Sequence, residues 1–330
     1  MKLLRRQFLQ LAGAVAAAPI LRTARAAEWR PSGAIRILIP AAPGGATDIM
    51  GRLLAQHLQS TWNVSVVAEN KSGAGGTIAM TELVRQKPDG QTLIIGNPGP
   101  AAIAFSVFRN LPYKPDQLLA VSNMIKIPNI VLVHPSVPVY SIAELIAYLK
   151  SNPGALSYGT SGTGQSPHLT AAWFLQLTGL QMTHVPFRGA APALTAALGG
   201  QIPVLFDNLF PALPQAQAGK LRALAVTTLD RSLLAPDIPT IRESAPELSN
   251  FEVSSWFGVF LPSGAPAPVV DALNNAIKNL LEAPDIKARI VELGARPDYG
   301  TPNQFAGFVR DEIAKFGDII RRENLQMDIN

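Results

Sequence analysis

Residues 37–58 read ILIPAAPGGATDIMGRLLAQHL: an apolar strand-like run, a Pro-Gly-Gly turn, and a helix entered with no linker. The helix signal is the spacing of Ile49/Met50, Leu53/Leu54 and Leu58, three to four residues apart, with Asp48, Arg52 and Gln56 on the wet side. Glycine lets the backbone in the turn approach a ligand and adopt positive φ. The first turn of a helix offers unpaired N–H groups and about half a positive charge. A strand–turn–helix of this kind is suited to holding a small anion without an arginine. Asp48 either caps the helix or orders the Gly-Gly turn.

Working outward, VSVVAEN (64–70), a helix from about 76 to 86 and TLIIGN (92–97) complete a βαβαβ alternation, which predicts a parallel sheet flanked by helices. A second series begins at NIVLVHP (129–135). It continues through helix SIAELIAYLKSN, strand LSYGTS (156–161), a helix over about 167–178, strand MTHVPF (182–187), helix PALTAALGG, and strands PVLFDN (203–208) and LRALAVT (221–227). The tail holds SWFGVFLP (255–262) and two helices, APVVDALNNAIKNLLEA and PNQFAGFVRDEIAKFGDIIRREN, which add too little for a third core. The expected organisation is therefore two α/β lobes, each a mostly parallel sheet flanked by helices: residues 28–126 with about 250–330, and residues 127–249. The crossings fall near 123–129 and between 227 and 257. Ligands in such sheets bind at the carboxyl ends of the strands, in the turns that open helices.

Four such turns share a small-residue composition: PAAPGGATD (40–48), KSGAGGT (71–77), GTSGTGQSPH (159–168) and FRGAAPA (187–193). Each alone is ordinary; four on two lobes point to a shared anion cradle. Competing motifs fail. Gly73-Ala74-Gly75-Gly76 lacks the last glycine of the dinucleotide fingerprint, Gly162-Thr163-Gly164 runs into Pro167, and no Gly-Lys-Ser/Thr exists. Ser161 is one residue short of a Gly-x-Ser-x-Gly elbow. His57, His134, His168 and His184 show no metal spacing, so no metal is expected. His168, near a helix start, suits packing or support of the turn better than a ligand contact. Asp207 ends an apolar strand, where it either caps the next segment or receives a donor from ligand or water. Trp256 reads as core.

Residues 1–26 read as an export signal: a basic start with Arg5-Arg6, an apolar stretch ending near Leu21, and small residues at Ala24 and Ala26. The Arg pair before Phe8 and Leu9 is of the twin-arginine type, with Sec export as the alternative. The apolar stretch falls short of the roughly 20 residues a bilayer span needs, so no membrane anchor is expected after cleavage and the mature chain should be periplasmic. Five of the 28 basic residues lie in this segment, leaving 23 against 23 acidic ones. A neutral mature chain removes any hint of nucleic-acid binding. With no cysteine, disulfides and thiol chemistry are excluded. At 48% hydrophobic and 15% charged, the chain is a well-buried globular protein.

Taken together, IPAAPGGATDIMGRLLAQHL, VVAENKSGAGGTIAM, KPDGQTLIIGN, LSYGTSGTGQSPHLTAAWF, THVPFRGAAPALTAALGGQIPVLFDN, AGKLRALAVTTLDRS, DIPTIRES and GVFLPSGAPAPVVDALNNAI resemble the Bug family, the periplasmic receptors of tripartite tricarboxylate transporters. The resemblance covers essentially the whole mature chain. It implies a two-lobed type II periplasmic binding protein, a Venus flytrap that closes on a small carboxylate such as a dicarboxylate or aromatic acid. It further implies no cofactor, no catalysis, and delivery to a membrane permease of one large and one small subunit. By position, the family's gripping loops fall on Pro40 to Thr47 (Ala41, Gly44, Gly45, Ala46, Thr47), on Gly73 to Gly76 (Gly73, Ala74, Gly75), and on Ser161 to Ser166 (Ser161, Gly162, Gly164, Gln165, Ser166). Gly189, Ala190 and Asp207 border the pocket.

Three positions depart from the family pattern. Ala41 stands where an aromatic is common, which enlarges the pocket. Gln165 replaces a usual serine, leaving Ser166 or the amide to donate. Phe187 and Arg188 replace Tyr and Lys, which drops a hydroxyl and keeps the charge. Two other roles remain open from sequence: a sensor read by a membrane kinase, and a periplasmic hydrolase or isomerase using Ser161 or Asp207.

Overall fold

A computed structural model describes residues 29–322 together with 325 and 326; the export-signal reading of residues 1–26 lies outside the described residues. Strand β1 (Ile35–Ile39) is apolar at all but one position and almost wholly buried. It pairs in parallel with β2 (Val66–Asn70) and β3 (Thr92–Gly96). Helix α1 (Ala46–Trp62) lays Met50, Leu54 and Leu58 against this sheet and ends at Asn63, whose φ of 54° closes it in the left-handed region. Helix α2 (Thr77–Leu83) stops sooner than its pattern predicts, because the N–H groups of Arg85 and Gln86 turn back to Glu82 and Leu83 ahead of Pro88.

A short helix, α3 (Ala104–Val107), leads to β4 (Leu118–Val133), which begins well before the predicted start at 129. Polar Ser122, Asn123 and Lys126 and the two register shifts around them disguise this strand in the sequence. Inside the protein the Ser122 hydroxyl donates to Gly300 O (2.9 Å) and Asn123 Nδ2 to Asp298 Oδ2 (2.6 Å), while Asn123 Oδ1 is buried without a protein partner. The other half of the chain adds α4 (Ile142–Ser151), β5 (Ser157–Thr160), α5 (Ser166–Thr178), β6 (Thr183–Pro186), α6 (Ala190–Leu198), β7 (Val204–Asn208), α7 (Leu209–Gln217) and β8 (Arg222–Val226). Helix α7 was not anticipated; Pro214 within LFPALPQAQ reads as a breaker yet sits inside the helix.

Strand β9 (Ser254–Pro262) and α8 (Ala267–Glu282), α9 (Pro284–Glu292), β10 (Arg296–Pro297) and α10 (Pro302–Arg322) finish the fold. The tail thus has three helices rather than the two expected, with Pro284 opening the extra one. Helices α8 and α10 pack on β4, returning the tail to the first half.

The strand order is β2-β1-β3-β9-β4-β7-β5-β6, with β8 and β10 also on β4. The outer strands are parallel, as expected, but β9 is antiparallel to both β3 and β4, and β4 is antiparallel to β7 and β8. The sheet is mixed because β4 carries the chain out of the first lobe and β9 brings it back, so the two run against each other. Leu118 to Pro128 of β4 pair with β9, while Asn129 to Val133 pair with β7 and β8.

Around this crossing Trp256 meets Phe305 and Phe308 edge-on, Phe260 lies tilted against Phe305, and Phe305 stacks with Phe308. Trp256 is core, as its sequence context suggests, and its Nε1 donates to Glu312 Oε2 at 3.0 Å. Gly258 lets Phe305 lie flat on β9, since a Cβ there would stand 2.3 Å from Phe305 Cζ and 2.8 Å from Ser122 O. Gly258→Ala should therefore cost about 1–3 kcal/mol through overpacking, a fall of several degrees in the melting temperature by calorimetry.

Candidate functional site

The turn after β1 owes its shape to Asp48. Its Oδ2 accepts the Gly44 N–H at 3.0 Å, and its Oδ1 accepts from Asn70 Nδ2 at 2.9 Å and from Arg52. Burial alone would raise the Asp48 pKa, but the bonds from Arg52, the Gly44 N–H and Asn70 outweigh it and hold the carboxyl below its ordinary value. Asn70 Nδ2 also donates to Ala41 O at 2.9 Å. Gly45 is the N-cap of α1, so of the two sequence roles Asp48 takes the one that orders the turn. The helix N-terminus stays free for a ligand.

The turn after β5 is held from beneath by two histidines. Gly164 N–H donates to His168 Nδ1 at 3.2 Å, and the His168 ring stacks on His184 with centroids 4.2 Å apart. His184 Nε2 meets Thr160 Oγ1 at 2.7 Å. Burial, with a smaller contribution from His184, lowers His168 to about 3; burial lowers His184 to about 4. Both rings are neutral at pH 7, and accepting at Nδ1 leaves the His168 proton on Nε2. His168 supports the loop rather than touching the cavity.

The four turns converge on a cavity of about 450 Å³ between the lobes. Ala41, Gly45, Ala46 and Thr47 line it from the first turn and Gly73, Ala74 and Gly75 from the second; Ser161, Gly162 and Gln165 follow from the third, Gly189 and Ala190 from the fourth. Four expected residues do not line it: Gly44, Gly164, Ser166 and Asp207. Gly44 (φ 90°) and Gly164 (φ 75°) shape their turns. Ser166 is buried in hydrogen bonds to Asn129 and Ser255. Gln165 does line the cavity, but its amide donates to Gly75 O, 2.7 Å away.

Asp207 is fully buried outside the cavity wall. Its Oδ1 accepts the Asn208 N–H at 2.8 Å and its Oδ2 has no protein partner. Burial pushes it up to about 7, with the Asn208 N–H pulling the other way. Successive strand residues point to opposite faces, so it is Asn208 that reaches the cavity.

Sequence reasoning missed several lining residues. Asn97 directly follows β3 and Asn208 ends β7, and that repeat of an asparagine at the strand's carboxyl end in TLIIGN and PVLFDN was the available signal. Ser255 and Phe257 come up from β9, and Phe108 from the segment after α3; no local signal marks them. The floor is a buried network: Asn208 Nδ2 donates to Asn129 Oδ1 and Ser255 Oγ, each at 2.7 Å, and Asn129 Nδ2 donates to Thr170 Oγ1 at 2.9 Å. Arg188 is the one charged side chain in the lining among the described residues. Backbone N–H groups and amide or hydroxyl side chains supply the rest.

Two α/β lobes joined by crossing strands, with glycine-rich helix-opening turns facing across a cleft, define a type II periplasmic binding protein. The sequence profile described as "Tripartite tricarboxylate transporter family receptor" matches residues 50–325, and the chain belongs to that family, the Bug receptors. It is similar to the periplasmic binding protein BugD at 31% identity over 90% of this chain and 99% of the other, with a TM-score of 0.85. It is similar to R. palustris Rpa4515, solved with adipate, at 34% over 89% and 98%, TM-score 0.85. It is also similar to MatC from Rhodopseudomonas palustris, solved with bound malate, at 32% over 88% and 99%, TM-score 0.84.

The buried acid makes a pH test possible. Folded Asp207 holds its proton more tightly than the unfolded chain does, so this group lowers stability as pH rises from about 4, the ordinary carboxylate value, through about 7, and changes nothing further above that. Asp207→Asn lacks this dependence. The melting temperature of the wild-type protein relative to the variant should fall steadily between about pH 4 and about pH 7. A gap independent of pH would show that Asp207 is ionised throughout.

Proposed function

We propose that the protein captures a small carboxylate between its lobes and passes it unchanged to the membrane permease of a tripartite tricarboxylate transporter, working in the periplasm after export. The observation that carries this reading is the convergence of the N-terminal turns of α1 and α5 on one cavity from opposite lobes. Free N–H groups with the positive ends of two helix dipoles suit carboxylate oxygens, and Arg188 adds one cation at the edge. The adipate and malate found in the relatives are both dicarboxylates. The lobes divide near residue 126 and near residue 250, hinging at Asn129 in β4 and between Thr227 and β9.

Binding without turnover also fits the side chains. Among the described residues no serine of the cavity is hydrogen-bonded to a histidine: His168 accepts from Gly164, and His184 partners Thr160. No Asp or Glu lines the cavity, so nothing of opposite charge awaits an ammonium group. Dicarboxylates should thus bind more tightly than amino acids of the same skeleton. No helix among the described residues is long and apolar enough to cross a membrane.

The test is a thermal-shift panel of malate, succinate, adipate, aromatic acids and aspartate on protein unfolded and refolded to strip bound ligand. An acid at 100 times its dissociation constant adds roughly 2.7 kcal/mol, a rise of several degrees. Arg188→Gln should weaken the best acid by about tenfold, roughly 1.4 kcal/mol. A flat panel would sink the carboxylate reading.

A further inference from the structure

Gln165 stands at the N-cap of α5, yet its side chain makes no bond to its own helix. It crosses the cleft instead, and Nε2 donates to the carbonyl of Gly75 in the first lobe at 2.7 Å. The slot that receives it is made of glycine. A Cβ on Gly99 would lie 2.7–2.8 Å from the Gln165 amide atoms, and one on Gly76 would lie 3.4 Å from Nε2. A Cβ on Gly75 would stand 2.1 Å from Thr163 O, also in the second lobe. The amide is nearly excluded from water, with Gln165 9% exposed. Among the described residues one other hydrogen bond joins the facing turns, Ala42 N–H to Arg188 O at 3.0 Å, and it is backbone to backbone.

We propose that Gln165 is the clasp of the cleft, a positioning residue that sets how firmly the lobes stay closed and how long a ligand is retained. This rests on the binding-protein reading given above. Donor and acceptor belong to different lobes, so the bond exists only in the closed arrangement. An interaction made in one of two states biases the equilibrium by its own free energy. A ligand trapped in the cavity leaves after opening, so the clasp acts on dissociation, while association with the open form is indifferent to it. One buried hydrogen bond of ordinary net strength corresponds to a factor of about 3 to 10 in the closed-to-open ratio.

The experiment compares the mature wild-type protein with Gln165→Met and Gln165→Ser. The methionine keeps the side-chain length without charge but has no N–H to give the Gly75 carbonyl; the serine removes the reach. Neither change touches the core, so both variants should melt within a few degrees of wild type. The chain has no cysteine, so spin labels at Gln56→Cys and Lys150→Cys, both exposed and on different lobes, report lobe separation by pulsed dipolar spectroscopy, without ligand and with malate or adipate. Stopped-flow binding of the same two acids gives both rates. The proposal expects the ratio of short- to long-distance populations to fall by about 3- to 10-fold in both variants, and the dissociation rate to rise by the same factor with association within about twofold. Unchanged distances with unchanged dissociation would overturn it, as would a loss confined to association. If wild type binds no acid of the panel while the distances still shift, the clasp stands and the carboxylate assignment fails.

Discussion

The structure turns on the side-chain amide of Asn129, buried where β4 leaves one lobe and enters the other. It accepts from Asn208, donates to Thr170, and approaches Ser166 and Ser255, while its main-chain N–H donates to Thr227 Oγ1 at 3.1 Å. Thr227 in turn donates to Val253 O, just before β9. The outgoing and returning crossings are therefore joined by polar bonds in a place where apolar packing alone would let them slide. A buried amide that loses its partners keeps the full desolvation penalty, about 1–3 kcal/mol. That penalty fixes the register of the crossing, and with it the floor of the cavity, since Asn208 and Ser255 belong to both.

From this fixed floor the turns rise as rigid edges. Each is braced by a group that does not itself line the cavity: Asp48 with Arg52 and Asn70 for the first lobe, the stacked His168 and His184 for the second. Bracing from behind leaves the helix N–H groups unspent. It also lets the cavity attract an anion with one side-chain cation, because oriented N–H dipoles in a partly desolvated space need not reorganise when charge arrives. Selectivity then resides in local geometry rather than in a long-range field.

The sequence made the periphery of this fold readable and hid its centre. Regular periodicity identified β1, α1 and the outer parallel strands, and the composition of four turns located most of the cavity wall. Among the central strands it was the first half of β4 that escaped, because polar residues interrupt its pattern: Ser122 and Asn123 turn inward, where each finds a partner from a distant segment. Both pairings span more than a hundred residues and leave no local trace. Helix α7 was hidden by Pro214, which tertiary packing tolerates. Asp207 drew attention over Asn208 because a charged residue looks more chemical than an amide, although strand alternation puts only one of the two on the cavity side.

Gln165 shows how a departure from a family pattern acquires meaning only in three dimensions. As a sequence change it looked like the exchange of one ligand donor for another. In place, its amide is committed to Gly75, and the glycines around it are those whose Cβ would prevent its seating or hold the lobes apart. The ligand-gripping and lobe-closing tasks thus fall on neighbouring atoms of the same turn: residues 161–163 face the cavity while the side chain of 165 spans to the other lobe. Selection on affinity can then act through closure without disturbing the N–H groups that recognise the carboxylate. A receptor that must both hold and release its ligand needs these two properties to be separable, and the turn before α5 separates them between adjacent residues.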